Sequence, residues 1–245
     1  MKIHLINPNT TSSMTREAVL AAQSVAASGT EIIGNQPKHG PVSIEGYYDE
    51  VFAVPEMLAE IKRHNDCHGH VVACFDDTGV DAARCIANGP VVGICEAGCL
   101  VAGTIANSFS IVTTLRRSVP ALNHLVHKYG AEHRCASIRA SDIPVLELEQ
   151  GGGAYKQIAA ECELAIDTDG AEAILLGCAG MTGLVQQLSV QFGLPVIDGV
   201  TAAVKHIEGL VSMKLTTSRV NGYAQPVSKE FSGDFSKYAF TDSKS

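Results

Sequence analysis

The sequence predicts an α/β protein of two pseudo-symmetric lobes, each a mainly parallel sheet flanked by helices, with a site in the cleft between them. Two observations carry this. Short β-rich apolar runs alternate with stretches of helical periodicity, the pattern of βα units whose parallel strands are covered on both faces. The chain also repeats itself: adding 104 takes Cys74 to Cys178, Thr78 to Thr182, Gly79 to Gly183 and Gly89 to Gly193. One inserted residue later, Pro90, Val91 and Val92 match Pro195, Val196 and Ile197, and at the front KIHLIN lies over SFSIVT at an offset of 106. A constant offset across several elements marks an internal repeat.

Taken in order, the first lobe opens with an apolar strand, Ile3 to Ile6, then a helix over 13–27 and a strand from Thr30 to Ile33. A helix over 48–65 leads to the apolar run Val71 to Cys74, followed by a helix over 80–87, a strand from Val91 to Ile94 and a helix over 96–106. The second lobe repeats the order. Strands are expected at Phe109 to Thr113, Ala136 to Arg139, Ile174 to Gly177 and Val196 to Ile197, with helices over 118–130, 154–168, 183–192 and 200–211. The lobes divide as 1–97 and 98–200, and residues 201–245 pack back on the first. Gly151 to Gly153 reads as a turn, and the polar, aperiodic segment from Thr217 as a tail lying along the surface or partly disordered.

Composition narrows the function classes. A chain of 245 residues can bury a sizeable core, and no apolar run approaches the roughly 18 residues of a membrane span. MKIHLINPNT does not read as a signal peptide, so a cytoplasmic address is expected. A net charge of -8 argues against nucleic-acid partners. Neither a G-x-G-x-x-G nor a G-x-x-x-x-G-K-[ST] loop is present, so no nucleotide cofactor is expected.

The chemistry concentrates where VVACFDDTG (71–79) and LLGCAGMTG (175–183) each end an apolar run on cysteine. Ligands of open α/β sheets bind beyond the carboxyl ends of the strands. A helix N-terminus there would lower the thiol pKa, with Thr78 and Thr182 as caps. Facing lobes would hold Cys74 and Cys178 on opposite sides of one cleft, an arrangement for taking a proton from one face of a carbon and returning it to the other. Near-attack distances put the sulfurs about 7 Å apart, too far for a disulfide. The matched position of these two within the repeat separates them from Cys67, Cys85, Cys95, Cys99, Cys135 and Cys162, expected to be core or surface residues.

CHGHVVAC (67–74) imitates a metal site, but along a strand His70 lies roughly 13 Å from Cys74. No metal is expected; His68 and His70 are expected to be solvated at the strand entrance. Asp76, Asp77, Glu96 and Asp198 are expected as caps or solvated loop residues, with Asp76 and Asp77 of interest for flanking Cys74.

The motifs INPNTT (6–11), PVSIEGYYDE (41–50), ACFDDTG (73–79), FSIVTTLRRSVP (109–120), IPVLELE (143–149), LGCAGM (176–181) and PVIDGVTAAVK (195–205) together resemble the hydantoin racemases of the aspartate/glutamate racemase superfamily. The likeness runs from the first strand to about residue 226. It implies a cofactor-independent, two-base racemase with Cys74 and Cys178 as the catalytic pair, a small-molecule substrate of the hydantoin or allantoin type, and a homo-oligomer. It further implies a pocket lined by Asn9, Thr10, Ser43, Ile44, Phe75, Asp76, Thr113, Thr114, Ala179 and Gly180; for Asn9, Ser43 and Thr113 turn and cap roles compete. The chain departs from the commoner C-F-G-D-P-G or C-F-D-D-P-G at Thr78.

The reaction expected by resemblance is interconversion of D- and L-5-monosubstituted hydantoins by proton transfer at C5. Allantoin, itself a 5-substituted hydantoin, is the alternative substrate. Related decarboxylases need only the second cysteine, and related isomerases use one cysteine as a nucleophile. A noncatalytic binding module built of two lobes and a thiol-redox protein are the readings from other classes.

Overall fold

The computed structural model describes residues 1–148 and 153–240. The first sheet contains β1 (Lys2–Ile6), β2 (Glu31–Asn35), β3 (Gly69–Val72) and β4 (Val91–Gly93) in the order β2-β1-β3-β4. The second contains β5 (Phe109–Thr113), β6 (Cys135–Ala140), β7 (Ala173–Gly177) and β8 (Val196–Asp198) in the order β6-β5-β7-β8. Every pairing is parallel. Replacing each strand of the first order by its counterpart four places later yields the second, so the two-lobed α/β architecture is present with the same winding in each lobe.

Parallel neighbours need crossovers, and these are α1 (Ser12–Val25), α2 (Tyr47–Arg63), α3 (Val80–Ile86), α5 (Val119–Lys128), α6 (Gly153–Asp167) and α7 (Val185–Phe192), with α4 (Ile94–Ile105) linking the sheets and α8 (Gly199–Ser212) closing the fold. α1 buries Met14, Ala18 and Ala22, one residue every fourth position along a single face. α4 and α8 bury small residues on several sides because both sit inside a core that also takes Ile3, Leu5 and Val71 from the first sheet and Phe109, Ile111 and Leu175 from the second. That shared core holds the two sheets in one relative position. α8 itself lies against α1, α4, β3 and β4.

From Thr217 the tail runs over the first lobe. Arg219 Nη1 donates to the Arg84 carbonyl at 2.7 Å, Tyr223 to Asp81 at 3.0 Å and Tyr238 to Glu56 at 2.6 Å. Its last five residues, 241–245, lie outside the described residues, as do Gly151 and Gly152 of the expected turn; Gly153 begins α6.

His70 departs from the expectation of a solvated strand entrance, although His68 is exposed. β3 begins at Gly69, so His70 lies inside a central strand and is fully buried. Its Nδ1 meets Nδ1 of the equally buried His4 at 3.0 Å, while His4 Nε2 meets Asn35 Oδ1 at 2.7 Å. Asn35 Nδ2 donates to Glu60 at 2.7 Å, which leaves Oδ1 to accept from His4 Nε2–H. His4 Nδ1 then accepts from His70, and both rings are neutral. Burial is the main cause, pushing His4 down to about 4 and His70 to about 3.

Candidate active site

In each sheet the strand order reverses between the first and third strands of its lobe, and the crevice beyond their carboxyl ends is where open α/β sheets hold ligands. Cys74 lies two residues past β3, and Cys178 directly follows β7. β3 and β7 are buried throughout, which fits strands covered by helices on both faces. Past β3 the parallel ladder extends one further bond, Ala73 N–H to the Ile6 carbonyl at 2.8 Å. The chain then turns sharply, with Asp77 at φ 46° and Gly79 at φ 69°. Glycine is required at 79 both for that φ and because a Cβ would stand 2.7 Å from Met57 Cε. In the second lobe Gly177 brings β7 close to β5: a Cβ there would sit 2.8 Å from Cβ of Thr113.

Both cysteines are free, partly buried thiols lining one cleft. The helices after the cysteines begin close to where they are expected, but neither starts directly behind its cysteine. α3 begins only at Val80, and Cys178 leads into a 3-10 helix, Ala179–Leu184, ahead of α7. The sulfurs meet individual N–H and O–H donors of their own loops instead. Thr78 Oγ1 donates to Cys74 Sγ at 3.3 Å, the Asp76 N–H also donates to that sulfur, and the Gly180 N–H donates to Cys178. The expected lowering of the thiol pKa is reversed: burial pushes Cys74 well above the ordinary thiol range and Cys178 up to about 11, and the Asp76 charge adds to both.

The threonines are not caps either. The Thr182 hydroxyl lies 2.7 Å from the Ala179 carbonyl and 3.0 Å from Asp198 Oδ1. Capping falls to aspartates. Asp198 accepts from the N–H groups of Val200 and Thr201 at the start of α8, at 3.1 and 2.9 Å. Asp77 reaches across to the start of α4, accepting from Cys95 N at 3.0 Å and Glu96 N at 2.9 Å, and takes a third bond from the Tyr129 hydroxyl at 2.7 Å. Glu96 is paired with Arg84.

Of the expected pocket residues, Asn9, Ile44, Phe75 and Asp76 line the cleft from the first lobe, and Thr113, Thr114 and Ala179 from the second. Thr10, Ser43 and Gly180 stand outside this lining, Thr10 being bonded to the Pro41 carbonyl through its N–H at 3.0 Å. Structural bonds occupy part of the set: Asn9 Oδ1 accepts from Thr11 N at 2.9 Å, and Thr113 Oγ1 donates to the Gly177 carbonyl at 3.0 Å. Met14, Ala73, Ser118, Val145 and Gly177 complete the wall without having been singled out as site residues by sequence. Ser118 and Val145 fall inside quoted motifs, so the motif blocks carried their signal where residue chemistry did not. Above the cleft, the Val145 N–H donates to Glu45 Oε1 at 3.0 Å, joining the loops of the two lobes.

Asp76 faces Glu50 of α2, whose Oε1 is buried without a partner among the described residues. Burial first, and the Glu50 charge second, push Asp76 up to about 7. Among the described residues no three His, Cys, Asp or Glu side chains come together to hold a metal ion, and no helix is long and apolar enough to cross a membrane.

The Asp/Glu/Hydantoin racemase family profile matches residues 3–207. A hydantoin racemase of Rhizobium meliloti is 51% identical over 237 residues, covering 95% of this chain and 98% of that protein. Among solved structures, allantoin racemase from Klebsiella pneumoniae superposes with a TM-score of 0.94 at 46% identity, covering 98% of this chain and 99% of the other. Allantoin racemase from Pseudomonas fluorescens gives 0.92 at 39% identity over 95% and 100% of the two chains. With the profile spanning both sheets and both cysteine loops, the chain belongs to the Asp/Glu/Hydantoin racemase family.

Proposed function

We propose that this protein is a cofactor-independent racemase that interconverts the D and L forms of 5-monosubstituted hydantoins, with Cys74 and Cys178 as its two bases. The observation that carries this reading is the meeting of two free thiols, one from each lobe, at a single cleft. A carbon acid next to a carbonyl needs a base on one face and an acid on the other. One sulfur, as thiolate, takes the C5 hydrogen; the electron pair spreads onto the adjacent carbonyl oxygen; the other thiol returns a hydrogen from the opposite face. Each positioned acid or base contributes roughly 10²- to 10⁴-fold. Because burial disfavours thiolate, the Thr78 hydroxyl and Asp76 N–H at Cys74 and the Gly180 N–H at Cys178 are what hold that charge when it forms.

Similarity to a hydantoin racemase of 51% identity supports hydantoins as the substrate class, and similarity to allantoin racemases supports allantoin as a second substrate. A homo-oligomer of cytoplasmic address completes the proposal; Tyr47, Tyr48, Val51 and Phe52 of α2 leave apolar surface exposed for such contacts. The test is to follow deuterium uptake at C5 while a single enantiomer of a 5-alkyl hydantoin, and in parallel of allantoin, loses optical rotation in D₂O. Uptake that accompanies loss of rotation supports the racemase. A stable rotation with no uptake on either substrate removes it.

A further inference from the structure

Beyond the two cysteines, and resting on the racemase reading above, the geometry points to a third catalytic group: Asp76, as a neutral carboxylic acid, donates a hydrogen bond to the ring carbonyl oxygen that takes up charge when C5 loses its proton.

Three observations lead there. First, Asp76 lies two residues beyond Cys74 in the loop that carries it, lines the cleft, and acts electrostatically on Cys74 and Cys178 alike. It therefore stands near the space where a carbon held between the sulfurs, and the carbonyl beside it, must lie. Second, among the described residues no donor or cation is bonded to its carboxyl group, so that group is free for a ligand. Third, the groups facing it are acids or thiols: Glu50 from α2, Asp77 and Cys74 from its own loop, and Cys178 from the other lobe, itself acted on by Glu45. Two carboxyl groups in a partly buried site do not both ionise readily, and burial with Glu50 already holds Asp76 up at about 7.

Neutrality serves the chemistry twice. An ionised Asp76 would oppose thiolate formation at both sulfurs, whereas a protonated one does not. A carboxylic acid also donates to the oxygen that becomes an enolate, an interaction stronger in the transition state than in the ground state. Atoms balance without a further reactant. The C5–H bond breaks as S–H forms on one cysteine, the S–H of the other breaks as C5–H reforms on the opposite face, and the Asp76 proton stays on Asp76 throughout.

The experiment compares Asp76→Asn, which keeps a donor and cannot ionise, with Asp76→Ala, which has none, on one 5-alkyl hydantoin, with circular dichroism and Tm confirming both folds. Asp76→Asn is expected to stay within about tenfold of the wild-type kcat. Asp76→Ala is expected to lose roughly 10²- to 10³-fold in kcat with a smaller change in KM. The wild-type kcat/KM should fall as pH rises past about 7, a limb absent from Asp76→Asn. Wild-type turnover by the alanine variant, equal loss in two folded variants, or persistence of the alkaline limb in Asp76→Asn would each overturn the proposal. Wild-type protein that exchanges no C5 hydrogen at all would instead overturn the racemase reading beneath it.

Discussion

The Thr78 hydroxyl donates a hydrogen bond to the Cys74 sulfur at 3.3 Å. By the resemblance noted in the sequence, the commoner motif carries proline at this place, and proline has no hydroxyl. The bond favours the charged form of a thiol that burial otherwise keeps protonated. Thr78→Val keeps the shape and removes the donor. The acidic limb of the kcat/KM profile should then move to higher pH, with turnover at neutral pH falling several-fold. Mirror-image forms have an equilibrium constant of one, so both enantiomers should lose kcat/KM equally. Rates measured from each enantiomer across pH check both statements, and an unchanged limb would remove Thr78 from the account.

Replacing either cysteine by serine should lower racemisation by roughly 10²- to 10⁴-fold, since an alcohol is a poor base at neutral pH. The half-reactions should separate. With one thiol intact, the enantiomer presenting its hydrogen to that thiol can still exchange it with D₂O, while the other cannot. Cys74→Ser and Cys178→Ser should therefore retain exchange of opposite enantiomers, as read by NMR loss of the C5 proton signal. Exchange of one and the same enantiomer by both variants would contradict a base on each face.

The buried His4 and His70 pair gives the fold a pH dependence separate from catalysis. Their folded pKa values, about 4 and about 3, lie below the ordinary histidine value of 6.5. Below pH 6.5 the unfolded chain takes up protons that the folded chain does not, so stability is complete above that pH and is lost as pH falls toward 4 and 3. The loss is on the order of a few kcal/mol across the window. Tm of the wild type should fall between pH 7 and pH 5, and His70→Leu should flatten that slope while lowering Tm at pH 7, because His4 loses its partner. Parallel slopes for the two proteins would remove the pair from the linkage.

Much of this site was legible in the sequence because both lobes obey one rule: an apolar strand ends near a cysteine at the crevice, and the offset of 104 marks both copies. What escaped depended on packing. A strand that starts at Val71, as the apolar run suggests, leaves His70 outside the sheet, whereas the observed β3 begins at Gly69 and buries it. The rise in thiol pKa comes from burial in the assembled cleft, which no local pattern records. The bonds from Asp77 to Cys95 and Glu96 cross 18 and 19 residues to a helix in the core, beyond the reach of any capping signature in the loop.

Asp77 and Asp198 tie the two cysteine loops to the core with opposite polarity. In the first lobe the loop supplies the carboxylate and α4 the N–H donors; in the second the cap stands at α8 and the loop supplies the Thr182 hydroxyl. Asp198→Ala removes a side chain that accepts from two backbone N–H groups and should destabilise the protein by about 1 to 2 kcal/mol. Thr182→Val removes the hydroxyl's contacts with the Ala179 carbonyl and with the cap but leaves the cap itself in place, so it should cost less stability but loosen the backbone around Cys178. The Gly180 N–H that donates to the Cys178 sulfur lies in that same stretch. In Thr182→Val, therefore, kcat should fall several-fold while Tm changes by no more than a few degrees, and in Asp198→Ala both should fall. Urea unfolding and turnover measured side by side decide it: a Thr182→Val protein with wild-type kcat would mean that the loop holds Cys178 without this bond.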